Sequence, residues 1–193
     1  LIPFTGNSEA SFEVEYRPLL PTTQPQEHLL SIYSKELGVF KYKLIVTASP
    51  PSIRQTLRFE VPLGSMQSES FVFKSFNKTK TEYSCSIKKP DIFGVPAKVP
   101  VEAITAWEGG DVRVNVTFEP IAIGTVTDTL VISSPDGGEY ICELAATCIA
   151  PMPLGPYNIV QGGPAIDIPF RNPFPQQYNF TFAVDSPAFK LST

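Results

Sequence analysis

Apolar and polar positions alternate along much of the chain with a period of two. Val112, Val114, Val116 and Phe118 are interleaved with Arg113, Asn115, Thr117 and Glu119, the pattern of a strand with one buried and one wet face. Leu130 and Ile132 continue it ahead of SSPDGG, a turn-rich hexapeptide that predicts a hairpin, and Tyr140 to Thr147 returns as the next strand. Phe71 and Phe73, then Tyr83, Cys85 and Ile87, alternate likewise around Asn77-Lys78-Thr79-Lys80. No stretch longer than one turn carries helical spacing. The pattern predicts an all-β chain of short antiparallel strands packed as immunoglobulin-like sandwiches.

The alternation also repeats. Val14, Tyr16 and Pro18 recur 102 positions later as Val116, Phe118 and Pro120. Leu30, Ile32, Phe40, Leu44 and Thr47 recur 100 positions later as Leu130, Ile132, Tyr140, Leu144 and Thr147. A weaker echo, 97 positions on, sets Phe73-Lys74-Ser75 against Phe170-Arg171-Asn172, and Tyr83, Cys85 and Ile87 against Phe180, Phe182 and Val184. A period near one hundred is the size of one sandwich, and the small drift falls between strands, where changes in loop length cost little. The chain then divides into the C-terminal half of a first unit (1–50), a complete unit (53–152) and the N-terminal half of a further one (153–193). Pro50-Pro51 and the Pro151 and Pro153 of Ala150–Pro153 mark the joints, where proline removes ladder donors and stiffens the backbone. A half sandwich exposes an apolar face and open strand edges. Either the missing halves lie elsewhere in a longer parent, or 1–50 pairs with 153–193, which would bring Val14 and Phe180 together.

Composition sharpens this picture. The 20 prolines in 193 residues are about twice the ordinary share of ~5 %, and with 14 Phe they argue for β-structure with many turns. A net charge of −4 and a pI near 5.1 supply no basic face for nucleic acid. No run approaches the ~18 apolar residues of a membrane span, and the start, LIPFTGNSEA, lacks the basic and apolar regions of a signal peptide. Of the three cysteines, Cys142 and Cys148 share one predicted strand. At ~3.3 Å per residue they stand about 20 Å apart and cannot bridge. They read, with Cys85, as buried apolar thiols of a reducing compartment.

Candidate chemistry is sparse. The one histidine, His28, falls in the polar loop PTTQPQEHLL, so no multi-histidine metal site exists and a Ser-His-Asp triad would rest on one loop position. No Cys-x-x-Cys, Gly-x-Gly-x-x-Gly or phosphate loop occurs, Gly162-Gly163 reads as a turn, and Asp111, Glu119 and Glu143 read as solvent-facing strand positions. No catalytic, metal, cofactor or small-molecule site is predicted. Asn77, Asn115 and Asn179 open sequons, glycan acceptors if the protein is secreted, but Asn115 and Asn179 lie within predicted strands. Lys74, Lys78, Lys80, Lys88 and Lys89 form a modest basic cluster against Glu82, suited to binding a peptide or to guarding strand edges. Trp107 either anchors a partner or plugs the sandwich end beside Val112. Phe118 and Tyr16 direct their rings into the inter-sheet core, Pro120 and Pro18 then end ladder pairing, and Gly109-Gly110 allows a tight turn with positive φ.

The middle unit carries FKSFNKT (73–79), EGGDVRVNVTFEP (108–120), TDTLVISS and YICELAAT. This series resembles the ASPM–SPD-2–hydin (ASH) domain, a relative of major sperm protein (MSP) and of the PapD-like chaperone sandwich. The resemblance covers the middle unit well and each half unit in part. Tandem units without enzymatic insertions are similar to the large, hydin-like cilia- and flagella-associated proteins. The resemblance implies a non-enzymatic scaffold of the axoneme, in the cytoplasmic, reducing compartment of a cilium or flagellum, with protein partners near the central-pair microtubules. It also implies, from MSP relatives that bind acidic peptides through a basic sheet face, a use for the five lysines. The competing reading is an extracytoplasmic chaperone or adhesion module that receives a client strand at an open edge, marked by occupied sequons and a Cys85 disulfide.

Overall fold

Alternation becomes strand between Gln26 and Ile149, whereas the segment around Val14 and Tyr16, expected as a strand from its match to Val116 and Phe118, is not one. The computed structural model describes residues 6, 9 and 11–189, and every side chain among them except that of Arg54. The ten strands are β1 (Gln26–Ser34), β2 (Gly38–Val46), β3 (Ile53–Pro62), β4 (Gln67–Ser75), β5 (Thr81–Ser86), β6 (Phe93–Gly94), β7 (Lys98–Val101), β8 (Gly110–Phe118), β9 (Gly124–Ser134) and β10 (Gly138–Ile149). Among the described residues there is no helix.

The middle unit is a sandwich of a five-stranded sheet, β3-β10-β9-β5-β7, and a three-stranded sheet, β4-β8-β6. The period of two does the work. Val112, Val114, Val116 and Phe118 turn inward from β8 and Tyr140, Cys142, Leu144 and Ala146 from β10, all buried. Rings from opposite sheets meet in the core: Phe59 of β3 lies 5.7 Å from Phe118 of β8 and 5.9 Å from Phe93 of β6, and Phe73 of β4 lies 4.1 Å from Tyr140 of β10. Full burial of such a side chain stabilises by about 1.5–3 kcal/mol. The antiparallel expectation holds for every pair except β3 with β10, which run parallel. These are the first and last strands of the unit and no hairpin joins them. After Gly64 (φ +91) the chain leaves β3 for the other sheet, with the Ser65 amide donating to the Pro62 carbonyl.

The repeat survives as geometry. Ser34 pairs with Gly38 across the β1–β2 turn, and Ser134 pairs with Gly138 across the β9–β10 turn, one hundred positions on. Gly38 and Gly138 both take positive φ, +85 and +80, as this three-residue hairpin loop requires. β1 and β2 nevertheless form a two-stranded sheet by themselves. Phe40 and Tyr42 are about half exposed, whereas their counterparts Tyr140 and Cys142 are buried.

Several expectations change here. His28 lies in β1 opposite Leu44, not in a loop; pairing with β2 supplies what the polar run Gln26–His28 has no local pattern to specify. Tyr16 is 41 % exposed while Phe118 is fully buried. Phe118 is covered by Phe59 of β3 in the opposite sheet and by Phe93 of the adjacent β6; among the described residues of 1–50 no strand corresponds to β3 or β6, and Tyr16 instead donates a hydrogen bond to Gln26 and tilts over His28, its ring 6.1 Å away. Residues 151–189 contain no strand, so Asn179 is not in one. Phe170, Phe180 and Phe182 still cluster, at 4.7 and 5.8 Å from Phe170, as their alignment with the middle-unit core suggests. Extended segments need a partner for their backbone groups, and residues 153–193 carry no repeat of β8 or β9. Among the described residues no strand pairing joins 1–50 to 153–193. Residues 1–5, 7, 8, 10 and 190–193 of these outer units lie outside the described residues.

Candidate functional site

The most elaborate surface chemistry lies where the first unit meets the middle one. Arg17 stands between two rings, its guanidinium carbon 5.1 Å from the Phe76 centroid and 4.8 Å from that of Trp107. It also donates to the Trp107 carbonyl and pairs with Glu15. The Trp107 indole N–H closes the ring by donating to Glu15 Oε2 at 3.0 Å. Hydrogen bonds from Arg17 and then from Trp107 hold the Glu15 carboxyl below the usual carboxylate range. Trp107 is therefore not a plug beside Val112: it is 53 % exposed and fastens a neighbouring unit.

Backbone fit completes the joint. A Cβ on Gly138 would run into the Leu19 carbonyl oxygen, so the hairpin needs glycine both for its φ and for this close approach. Gly109 (φ +78) is similarly pressed, with a Cβ there falling 2.6 Å from the Phe76 ring. The Thr22 amide donates to the Ala48 carbonyl at 3.0 Å and the Ala48 amide to Thr22 Oγ1 at 2.9 Å, clamping the two chain segments that lead into the joint. Pro51 joins Pro18, Leu19, Pro21, Phe76 and Tyr140 around one groove. Pro50 is exposed and Pro51 half-buried. Beyond Pro151 and Pro153, both exposed, Arg171 Nη2 reaches Glu119 Oε1 at 2.6 Å.

The five lysines do not form one patch. Lys80 pairs with Glu102 at 2.6 Å, and Lys78 donates to the Ala106 carbonyl at 3.0 Å, both before β5. Lys88 and Lys89 follow β5, a strand length of ~20 Å away, and Lys89 donates to the Thr127 carbonyl at 3.0 Å. Lys74 sits on β4 of the opposite sheet. Sequence reading missed Asp128, a buried carboxylate that accepts the Lys88 and Lys89 amides at 3.0 and 2.8 Å. Its signal was present: Asp128 occupies the inward register of Leu130 and Ile132, where a charge needs dedicated donors.

Of the sequon residues, Asn77 is 2 % exposed with its Nδ2 buried and unbonded, which corrects its reading as a glycan acceptor. Asn115 lies on β8 and accepts from Ser70 Oγ at 2.8 Å. Cys85, Cys142 and Cys148 are unbridged, and burial pushes the Cys142 thiol up to about 11. Cys85 and Cys142 flank β9 on opposite sides, at the levels of Ile132 and Leu130. Among the described residues no three His, Cys, Asp or Glu side chains gather to hold a metal. No helix among them is long and apolar enough to cross a membrane.

No protein-family model matches the chain. It is similar to mouse hydrocephalus-inducing protein, 34 % identical over 186 residues, and to the human homologue, 33 % identical over 187 residues. Each match covers 96 % of this chain and 4 % of the relative, so the chain spans a small part of their length. Among solved structures it is similar to an ASH/PapD-like domain of human CEP192, with 12 % identity, TM-score 0.40, and coverage of 76 % of this chain and 99 % of that one. A second likeness is to WR4, a C. elegans MSP family member, with 15 % identity, TM-score 0.36, and coverage of 47 % and 92 %. Over nearly its whole length the chain is thus similar to one short segment of the hydrocephalus-inducing proteins, and at its centre lies an all-β sandwich of a five-stranded and a three-stranded sheet.

Proposed function

We propose that this chain is a non-enzymatic spacing and docking segment of a large ciliary or flagellar protein. The observation that carries the reading is its 34 % identity to mouse hydrocephalus-inducing protein along 96 % of its length. The resemblance of its repeated motifs to hydin-like, cilia- and flagella-associated proteins supports an address in the axoneme, with protein partners among central-pair microtubule components. The mechanism is geometric. Packed joints such as Arg17 against Phe76 and Trp107 set the distance and rotation between sandwiches. The sides are left for partners: β3 and β7 border one sheet and β4 and β6 the other, offering backbone groups for an added strand. Lys74, Lys78, Lys80, Lys88 and Lys89 serve in this reading as separate guards of strands and strand ends, because two are tied to local carbonyls and one to Glu102.

An epitope tag placed in the endogenous parent protein and located by electron tomography of isolated axonemes tests the address. Label on the central apparatus, lost from axonemes that lack it, is the expected result. Label at the cell surface or in the secretory lumen would overturn the reading.

A further inference from the structure

The β1–β2 hairpin presents the back of a sandwich with no front. Ile32 pairs with Phe40 and Ser34 with Gly38, as Ile132 pairs with Tyr140 and Ser134 with Gly138. In the middle unit two elements cover these positions. β5 adds to the outer edge of β9 with Cys85 opposite Ile132, and Phe73 of β4 lies 4.1 Å from Tyr140. The hairpin has neither cover. Among the described residues β1 pairs with β2 alone, and Phe40 and Tyr42 stay about half exposed.

Residues 165–189 carry the missing front. They keep the geometry of β4 and β5 at a spacing of 97 positions. Phe170 and Phe180 meet edge to face at 4.7 Å and 70°, as Phe73 and Tyr83 do at 5.3 Å and 71°. The Phe189 amide donates to the Ser186 carbonyl at 3.3 Å, as the Ile92 amide does to that of Lys89, with Pro187 and Pro90 inside the two turns. Yet these residues form no strand, and Phe170 and Phe182 stay more than half exposed. Charge is transposed as well. Asp128 of β9 accepts the Lys88 and Lys89 amides, whereas the repeat sets His28 of β1 at the place of Asp128 and Asp185 at that of Lys88.

We infer that the apolar face and open edge of the β1–β2 hairpin receive residues 165–189 of a second copy of this chain. Residues 180–184 add antiparallel to the outer edge of β1 with Phe182 opposite Ile32, Phe170 covers Phe40, and Asp185 meets His28. The added strand satisfies backbone groups that both segments leave open. A chain does not serve itself in this way. Its hairpin is fastened at the Gly138 end of β10. Arg171 is held by Glu119, next to Phe118, whose ring packs on Phe59 at the level of Ala146. Eight residues of β10 separate those levels, about 25 Å at ~3.3 Å per residue. Donor and acceptor thus lie at opposite ends of one sandwich, and the association runs head to tail. It follows from the repeat and does not depend on where in the cell the parent protein works.

Sedimentation of the full 193-residue chain tests it. The weight-average mass should climb above 21.2 kDa as concentration rises. Ile32→Asp and Phe182→Asp should each weaken the association about tenfold or more, the worth of one large buried apolar side chain. Neither should move the thermal midpoint of the middle sandwich, whose core contains neither residue. His28→Asp alone should weaken association about two- to fivefold, the scale of an exposed charge pair. His28→Asp combined with Asp185→Lys, which rebuilds the Asp128 and Lys88 arrangement, should recover it. For the register, an Ile32→Cys chain mixed with a Phe182→Cys chain should give a disulfide-linked dimer on oxidation, and a Tyr33→Cys chain in place of the first should not. A mass of 21.2 kDa at every concentration, or association indifferent to Ile32 and Phe182, would overturn the inference. An I32C/F182C chain that closes on itself as a monomer would overturn it too, by assigning the hairpin to the chain's own C-terminal segment.

Discussion

Phe118 and Tyr16 show how one residue type at one repeat position acquires opposite environments. Phe118 is fully buried against Phe59 and Phe93, and Tyr16 stands 41 % exposed. Phe118→Ala should therefore lower unfolding free energy by about 3–5 kcal/mol, and Tyr16→Ala by less than ~1 kcal/mol, in urea denaturation followed by fluorescence. Equal losses would show that the Tyr16 ring is packed as tightly as that of Phe118. Cys142 gives a pH signature. Its folded-state thiol is raised to about 11 by burial, above the ordinary value near 8.5. A raised value means the stabilisation is complete below the unfolded pKa and is lost as pH climbs through the folded one. Stability should fall between about pH 9 and 11, and Cys142→Ala should flatten that fall. His28 and Asp128, one hundred positions apart, were legible to different degrees. Asp128 betrayed itself by occupying an apolar register, whereas His28 sits in a polar run whose strand depends on a partner.

The two hairpins are a natural control for what context adds to a turn. Gly38 and Gly138 share positive φ, but a Cβ on Gly38 meets nothing within 4 Å, while one on Gly138 strikes the Leu19 carbonyl. Gly38→Ala should carry only the strain of a left-handed alanine, about 1–2 kcal/mol. Gly138→Ala should cost more and also free residues 19–22, seen as faster exchange of the Thr22 amide that now donates to Ala48. If the two substitutions behave alike, the joint is not pressed against this turn. Strands β8 and β10 were readable because each repeats an inward apolar residue every second position, and β9 because Leu130 and Ile132 do so between Asp128 and Ser134. The parallel pairing of β3 with β10 was not, since alternation names a buried face and says nothing of direction. The strandless stretch 151–189 fails in the reverse sense: its apolar residues copy β4 and β5, but pairing is a property of two segments.

At the scale of the whole chain, the joint fastens the segment before the β1–β2 hairpin to the sandwich. Trp107→Ala removes both the ring over Arg17 and the indole donor to Glu15. It should enlarge the radius of gyration measured by X-ray scattering while leaving the thermal midpoint of the middle sandwich within a few degrees, because Trp107 lies outside the core. A lowered midpoint with unchanged dimensions would instead make Trp107 part of the sandwich. Alternation along the chain was enough to determine β-structure and which faces of β8 and β10 turn inward. These are encoded locally, by which side chains avoid water and how often. Only the folded arrangement decided that Tyr16 stays open, that five lysines disperse, that Asn77 is buried and that Arg17, Phe76 and Trp107 meet. Each of these depends on what another segment, distant in sequence, brings to the opposite side.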